Sequence, residues 1–297
     1  MDKNGGKGIA LAVLAAALYA LSAPFSKLLL ENVPPTLLAG FLYLGAGVGM
    51  ALLALLRRAR GKEKTEMRLT RGELPYTLAM IVLDIAAPIC LLAGLSDTTA
   101  ANASLLNNFE IVATAVIALA VFHEHISARL WLGIVLVTLA CAVLSFEDMT
   151  SLQFSRGSIL VLLAAVCWGL ENNCTRRLSG KDPLQIVLLK GIFSGLGSLT
   201  IGWYLGERAA AWTAVPAALA LGFVAYGLSI YCYVYAQRWL GAARTSAYYA
   251  VSPFIAAFLS LVIFRQMPSH AYYAALALMA AGAWLCASDR PLGRKES

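Results

Sequence analysis

Charge is scarce in this chain. Only 13% of its 297 residues are Asp, Glu, Lys or Arg, while 60% are hydrophobic; a soluble globular protein has about a quarter charged residues. Polar stretches are short as well. The longest, from Arg57 to Gly72, leaves no room for a soluble catalytic domain. Histidines number three, and in His123-Glu124-His125 the alternating positions cannot bring both imidazoles to one helix face. With no third ligand nearby, a solvated helix end is the better reading of that motif, and no metal or cofactor is expected. The six cysteines, Cys90, Cys141, Cys167, Cys174, Cys232 and Cys286, all lie inside apolar stretches without disulfide or ligand spacing and read as packing residues. A membrane protease is disfavoured: Asp84 has no second aspartate in a Gly-x-Gly-Asp setting, and no serine–histidine pair is evident.

What fills the chain is apolar runs. They cover about 8–30, 34–56, 73–95, 100–122, 129–146, 157–178, 183–206, 213–236, 243–264 and 270–288. A helix needs roughly 20 apolar residues to cross the hydrocarbon core, so the expected fold is an all-α membrane protein with ten transmembrane helices. Lys3, Lys7 and the small residues Ala20, Ser22 and Ala23 give the first run some features of a signal peptide.

The runs repeat. Shifted by 149 residues, Gly8 meets Gly157, Tyr19 meets Trp168, Lys27 meets Arg176 and Pro34 meets Pro183. Shifted by 142, Cys90 meets Cys232, Ser104 meets Ser246 and Phe122 meets Phe264. This divides the chain into a five-helix repeat over 1–148 and a second over 149–297, and it makes the first run a member of the repeat and not a cleaved leader. An odd number of crossings per half inverts the second half. Lysine and arginine, which collect in short cytoplasmic loops, agree. Of the 23 such residues, only Lys27, Arg156, Arg208 and Arg265 fall in outer loops when both termini are cytoplasmic, and Lys190 lies within the seventh run. The net charge of +7 is therefore that of cytoplasmic loops, and nucleic acid is not an expected partner.

Ionisable groups in mid-membrane cost at least roughly 2.5–3.5 kcal/mol on insertion scales, so they face a cavity or a partner. Asp84, Glu110, Glu171 and Lys190 are such groups. Glu110 shares a helical face with Asn107 and Thr114, at i−3 and i+4. Asn172 and Asn173 follow Glu171, and Pro24 stands at the matching place in the first run, where a lost backbone bond weakens the helix. A salt bridge of Glu171 with Lys190 is the structural alternative to a substrate site.

Aromatic residues at run ends, Trp203, Tyr204, Trp212, Trp239, Tyr272 and Tyr273, suit an interfacial belt. Mid-span Tyr19, Trp168 and Tyr226 suit a cavity wall, with flat faces for an apolar, aromatic or cationic solute. Tyr226 and Tyr233, seven apart, share a helical face with Ser229, and Tyr249 begins the ninth run. Gly45-x-x-x-Gly49 and Gly191-x-x-x-Gly195 suit close helix packing, either internal or in a weak dimer.

Two five-helix repeats that each open on an aromatic–small pair (Tyr19-Ala20, Trp168-Gly169), with Ser252-Pro253 and the Phe122-x-Glu124-x-Ile126-Ser127 ending, resemble the EamA family of the drug/metabolite transporters. The resemblance covers nearly the whole chain. It implies a secondary transporter, commonly an amino-acid exporter of the bacterial inner membrane, and within the family the chain is most similar to aromatic amino-acid exporters. It also implies that Trp168 is a cavity residue. The sequence departs from that group at Asn107-Asn108-Phe109-Glu110-Ile111, which bears on aromatic selectivity, and at Phe264-Arg265-Gln266, which lacks the family's glutamate.

The expected function is export or facilitated movement of amino acids, aromatic or apolar, by alternating access between inverted halves. Tyr19, Trp168, Tyr226 and Tyr249 are the expected contacts for the side chain. Asp84, Asn107, Glu110 and Glu171 are those for the amine and other polar groups, or for a coupling proton. Efflux of lipophilic cations or other metabolites is the alternative. A scaffolding membrane protein or a membrane enzyme acting on lipid belongs to a different class, and no nucleophile or metal cluster points to the latter. The expected partners are a small-molecule substrate and the lipid bilayer, with the protein a monomer or weak homodimer.

Overall fold

Residues that start, break and stop helices stand at the ends of the apolar runs. A computed structural model describes residues 3–59, 67, 69–122, 127–148, 153–178, 180–240, 245, 248–265 and 269–288. The first run forms α1 (Lys3–Ala20) and α2 (Ser22–Leu29). Pro24 offers no N–H to the carbonyl of Ala20, one turn back, and the chain breaks at Leu21 between them. α3 (Pro35–Ala59) begins on a proline, whose fixed φ suits a first helical turn. It ends on Arg57 and Arg58 at the negative end of its dipole. α4 (Leu74–Asp97) follows a capping box in which Glu73 Oε2 accepts from Thr70 N and Oγ1, each at 2.6 Å. At the C-terminal end of α4, Lys27 Nζ donates to the carbonyls of Ser96 at 3.1 Å and Thr98 at 2.9 Å.

The fourth run is split into α5 (Ala100–Leu106) and α6 (Phe109–Phe122) by Asn107 and Asn108. α7 (Ala128–Ser145) leads into β1 (Phe146–Asp148), which pairs antiparallel with β2 (Gln153–Phe154). The apolar runs gave no sign of this two-stranded ribbon. α8 (Arg156–Leu178) and α9 (Pro183–Tyr204) follow, α9 being N-capped by Asp182, whose Oδ1 accepts from Leu184 N at 2.9 Å. α10 (Val215–Gly222), a π-helical segment at Phe223–Leu228, and α11 (Ser229–Leu240) make one continuous path. α12 (Ser252–Phe264) closes on Arg265 in the left-handed region at φ 50°, and α13 (His270–Ser288) completes the described chain.

Among the described residues, seven helical stretches are long and apolar enough to cross a membrane: Gly6–Leu29, Pro35–Ala59, Arg71–Asp97, Ala128–Ser145, Arg156–Thr175, Pro183–Tyr204 and Trp212–Ala236. Ser252–Phe264 and His270–Cys286 are shorter apolar helices. The α5–α6 path reaches no such length in one piece because Asn107 and Asn108 interrupt it. The chain is a multi-pass, helical membrane protein.

Its exterior is apolar, as lipid contact requires: Leu55, Val82, Phe193 and Phe258 are exposed. The interior is built by close approach. α3 packs on α9, α4 on α8, α7 on α13 and α1 on α11, with α6 on α8, α1 on α12 and α5 on α12 adding to these. Gly191 and Gly47 show why α3 and α9 meet so tightly: a Cβ on Gly191 would sit 2.3 Å from the Gly47 nitrogen and 2.8 Å from the Tyr43 carbonyl oxygen. Gly45 likewise abuts Leu219, Gly49 abuts Phe223, and Gly195 abuts Leu44. Both Gly-x-x-x-Gly pairs thus serve internal packing.

Of the aromatic residues assigned to an interfacial belt, Trp203, Tyr204, Trp212 and Tyr273 are exposed. Tyr272 is not: it is 5% exposed and packs edge-on to Tyr273 with ring centroids 6.0 Å apart. Adjacent positions on a helix point about 100° apart, so only one of the pair can face outward. The side chain of Trp239 and the whole His123-Glu124-His125 motif lie outside the described residues.

Candidate functional site

Four charged side chains are gathered inside the bundle. Lys190, one-third of the way along α9, puts Nζ 3.1 Å from Asp84 Oδ2 on α4 and 3.0 Å from Glu171 Oε1 on α8. Asp84 is fully buried, Glu171 nearly so, and Lys190 is 7% exposed. Its ammonium is thus shared between two carboxylates. The remaining polar capacity is taken up locally. Tyr43 on α3 donates to Asp84 Oδ1 at 3.0 Å, and Thr175, one turn beyond Glu171, donates to Glu171 Oε1. The ion pair expected as the structural alternative is present, with Asp84 as a second partner.

Glu110 stands beside this group, in the first turn of α6. Its Oε1 accepts from Asn172 Nδ2 at 2.5 Å, and the same amide lies 3.4 Å from Thr114 Oγ1. Asn173 Nδ2 donates to the Gly169 carbonyl at 2.8 Å and the Thr114 carbonyl at 3.3 Å. Glu110 and Thr114 therefore share a face, as their spacing requires. Asn107 lies before α6, at the interruption of the helix, and its side chain turns to Tyr19.

Tyrosines form the other wall. The Tyr226 ring lies 5.7 Å from that of Tyr19 and 5.2 Å from that of Tyr43, and its hydroxyl is 2.9 Å from Ser22 Oγ. Tyr249 stacks near Tyr19 at 5.8 Å and near Tyr233 at 4.9 Å. Tyr226 sits inside the π-helical segment, seven residues before Tyr233. Tyr226 turns to Tyr19 and Tyr43, Tyr233 to Tyr249, and Ser229 Oγ donates to the Ala15 carbonyl at 2.8 Å.

All eight residues singled out from sequence thus lie in one network. Tyr19 touches Tyr226, Tyr249 and Asn107, while Tyr43 joins Tyr226 to Asp84 and lies beside Trp168. Glu171 and Glu110 are joined through neighbouring α8 residues. Tyr43 is the residue that sequence reasoning missed. A lone tyrosine in a Gly- and Leu-rich helix carries no spacing that points to Asp84, 41 residues away.

A cleft opens against this network, lined by Tyr19, Ser22, Ala23, Leu91, Ala103, Ser104, Asn107, Ser252, Pro253 and Ala256. Its volume of about 20 Å³ is room for roughly one water. Of the eight residues, Tyr19 and Asn107 line it, and the carboxylates and Trp168 stand behind them. Among the described residues, no group of three or more His, Cys, Asp and Glu side chains is placed to hold a metal ion.

The profile of the EamA-like transporter family matches the chain twice, over residues 6–146 and again over 155–288. An uncharacterized transporter of Methanothermobacter thermautotrophicus is 27% identical over 270 residues, covering 86% of this chain and 78% of that protein. The uncharacterized transporter YyaM of Bacillus subtilis is 19% identical over 222 residues, covering 71% of this chain and 72% of its own length. A solved crystal structure superposes with a TM-score of 0.68 at 17% identity, covering 94% of both chains, and so shares the fold.

Proposed function

We propose, since the chain belongs to the EamA-like transporter family, that it is a secondary transporter moving amino acids, aromatic or apolar, across the cell membrane by alternating access. Membership makes the protein a membrane transporter; the solute and the manner of movement are the proposal. The observation that carries it is the buried network in which an aromatic wall (Tyr19, Tyr226, Tyr249) faces a carboxylate set (Asp84, Glu110, Glu171) at mid-bundle. An apolar side chain suits the first surface and an amine suits the second.

Ten spans arranged as two inverted five-helix repeats belong to the same reading. Helix pairing supports it. With α1–α2 to α7 numbered as the first five spans and α8 to α13 as the second five, exchanging each span for its counterpart maps the α4–α8 contact onto α1–α11, and the α6–α8 contact onto α1–α12. The α3–α9, α7–α13 and α5–α12 contacts map onto themselves. Two successive matches to one family profile support a duplication with its boundary near residue 149. With both termini cytoplasmic, the two halves can rock about the shared site and present it to each side in turn. A cleft of about 20 Å³ is smaller than any amino acid, so the helices must part to admit one.

Purified protein in liposomes tests this. Labelled phenylalanine or leucine should cross faster than in protein-free vesicles, with Tyr19→Ala and Tyr226→Ala slowing it. No movement of any labelled amino acid in either direction overturns the reading. Efflux of lipophilic cations is favoured by one observation, two buried carboxylates and the half-buried Glu110 against one buried lysine. It predicts that such cations, and not amino acids, compete for flux.

A further inference from the structure

The two interrupted paths through the bundle differ in one respect. α6 and α12 both start inside it. At 1.5 Å per residue, the 13 residues of α12 span about 20 Å, short of a hydrocarbon core of roughly 30 Å. Each start therefore presents the positive end of a helix dipole away from water. At α6 that end is already answered, because Glu110 occupies its first turn. At α12 it is not. Val251 at the N-cap gives no side-chain bond, no acidic residue stands in the first turn, and Pro253 has no N–H. Shifted by 142 residues, Glu110 falls on Ser252. One half thus supplies a carboxylate where the other leaves a hydroxyl.

That hydroxyl is unspent. Ser252 is fully buried and lines the cleft, and its Oγ meets no hydrogen-bond partner among the described residues. Across the cleft Asn107, 8% exposed, has Oδ1 equally unpartnered. Buried polar atoms without partners are costly and uncommon, and here a free donor and a free acceptor line the same cleft.

We infer that Ser252 and the start of α12 form a subsite for the substrate's carboxylate, with Asn107 Oδ1 accepting from its ammonium on the side of Glu110. The substrate is then a zwitterionic α-amino acid held by both charged ends, its side chain lying towards Tyr19. The carboxylate takes a hydrogen bond from Ser252 Oγ and the field of the unanswered helix end. The ammonium faces the charged group in which Asp84, Glu110 and Glu171 outnumber Lys190. This rests on the amino-acid reading above and assigns its polar contacts.

Binding to the full-length purified protein, measured by calorimetry with three probes, tests it: L-phenylalanine, phenethylamine, which lacks the carboxylate, and 3-phenylpropionate, which lacks the amine. Phenylalanine should bind at least about tenfold more tightly than either, the loss expected when a buried group is left unpaired. Ser252→Ala should erase the margin over phenethylamine while keeping that over 3-phenylpropionate, and Ser252→Thr, which retains the hydroxyl, should restore it. Asn107→Ala should do the converse. Phenethylamine binding as tightly as phenylalanine, or a margin untouched by Ser252→Ala in a protein that melts like wild type, overturns the subsite and leaves the transporter reading standing. No binding of any probe, together with no amino-acid flux in liposomes, overturns the amino-acid reading and the subsite with it.

Discussion

Lys190 on α9 holds its ammonium 3.1 Å from Oδ2 of Asp84 on α4, and this single contact ties together helices from the two family-profile matches. The same nitrogen reaches Glu171 on α8 at 3.0 Å. Removing the lysine leaves two carboxylates facing each other without their counter-charge, in a setting where water cannot screen them. Breaking a buried pair at one partner costs about 3–5 kcal/mol, so Lys190→Met should lower the melting temperature of the detergent-solubilised protein sharply. The triple variant Lys190→Met, Asp84→Asn, Glu171→Gln removes all three charges and should recover most of that loss. A triple variant as unstable as the single one would show that packing, and not charge, accounts for the effect.

Tyr43 stabilises the same group from the other side. Its hydroxyl donates to Asp84 Oδ1 at 3.0 Å, while its ring packs 5.2 Å from that of Tyr226. Tyr43→Phe keeps the ring and deletes the donor. A hydrogen bond to a charged group contributes roughly 1.5–3 kcal/mol, and thermal unfolding should register a loss of that order. In an Asp84→Asn background the same change should cost less, and a double-mutant cycle measures the difference.

The close approach of α3 and α9 makes a separate prediction. A Cβ at Gly191 meets backbone atoms of Gly47 and Tyr43 at 2.3–2.8 Å, and backbone cannot rotate away as a side chain can. Gly191→Ala should cost about 1–3 kcal/mol through overpacking. Gly6→Ala is the control: nothing lies within 4 Å of its Cβ, and it should leave the melting temperature unchanged or raise it slightly.

Much of this was legible from the chain itself, and the reasons are physical. Length and spacing of apolar runs located the helices because lipid enforces both. The charged set was legible because a carboxylate inside an apolar run needs a partner. What escaped depends on conformation that spacing does not encode. Asn107 and Asn108 interrupt a helix without proline or glycine, so the arithmetic that grouped Asn107 with Glu110 assumed a continuity the chain lacks. The π-helical segment at Phe223–Leu228 left no mark in the spacing of apolar residues either. Tyr43 was hidden because its only mark is a partner on another helix.

Asn32 and Lys181 stand 149 residues apart, one in the connection that leads into α3 and the other in that leading into α9. If the halves are inverted, those two positions must face opposite sides of the membrane. Structure groups the connections consistently: Lys181 Nζ pairs with Glu73 Oε1 at 3.0 Å, while the Asn32 carbonyl accepts from Ala210 N at 2.8 Å and Glu207 Oε2 accepts from Leu37 N at 2.9 Å. Residues 73 and 181 therefore share one face and residues 32, 207 and 210 another. In intact cells a membrane-impermeant maleimide should label Asn32→Cys and Arg208→Cys but spare Lys181→Cys until the membrane is opened. The native cysteines all lie within apolar helices, and the unsubstituted chain supplies the background. Labelling of both Asn32→Cys and Lys181→Cys from outside would place the two connections on one side. An antiparallel pair of repeats cannot accommodate that, and the alternating-access reading would fall with it.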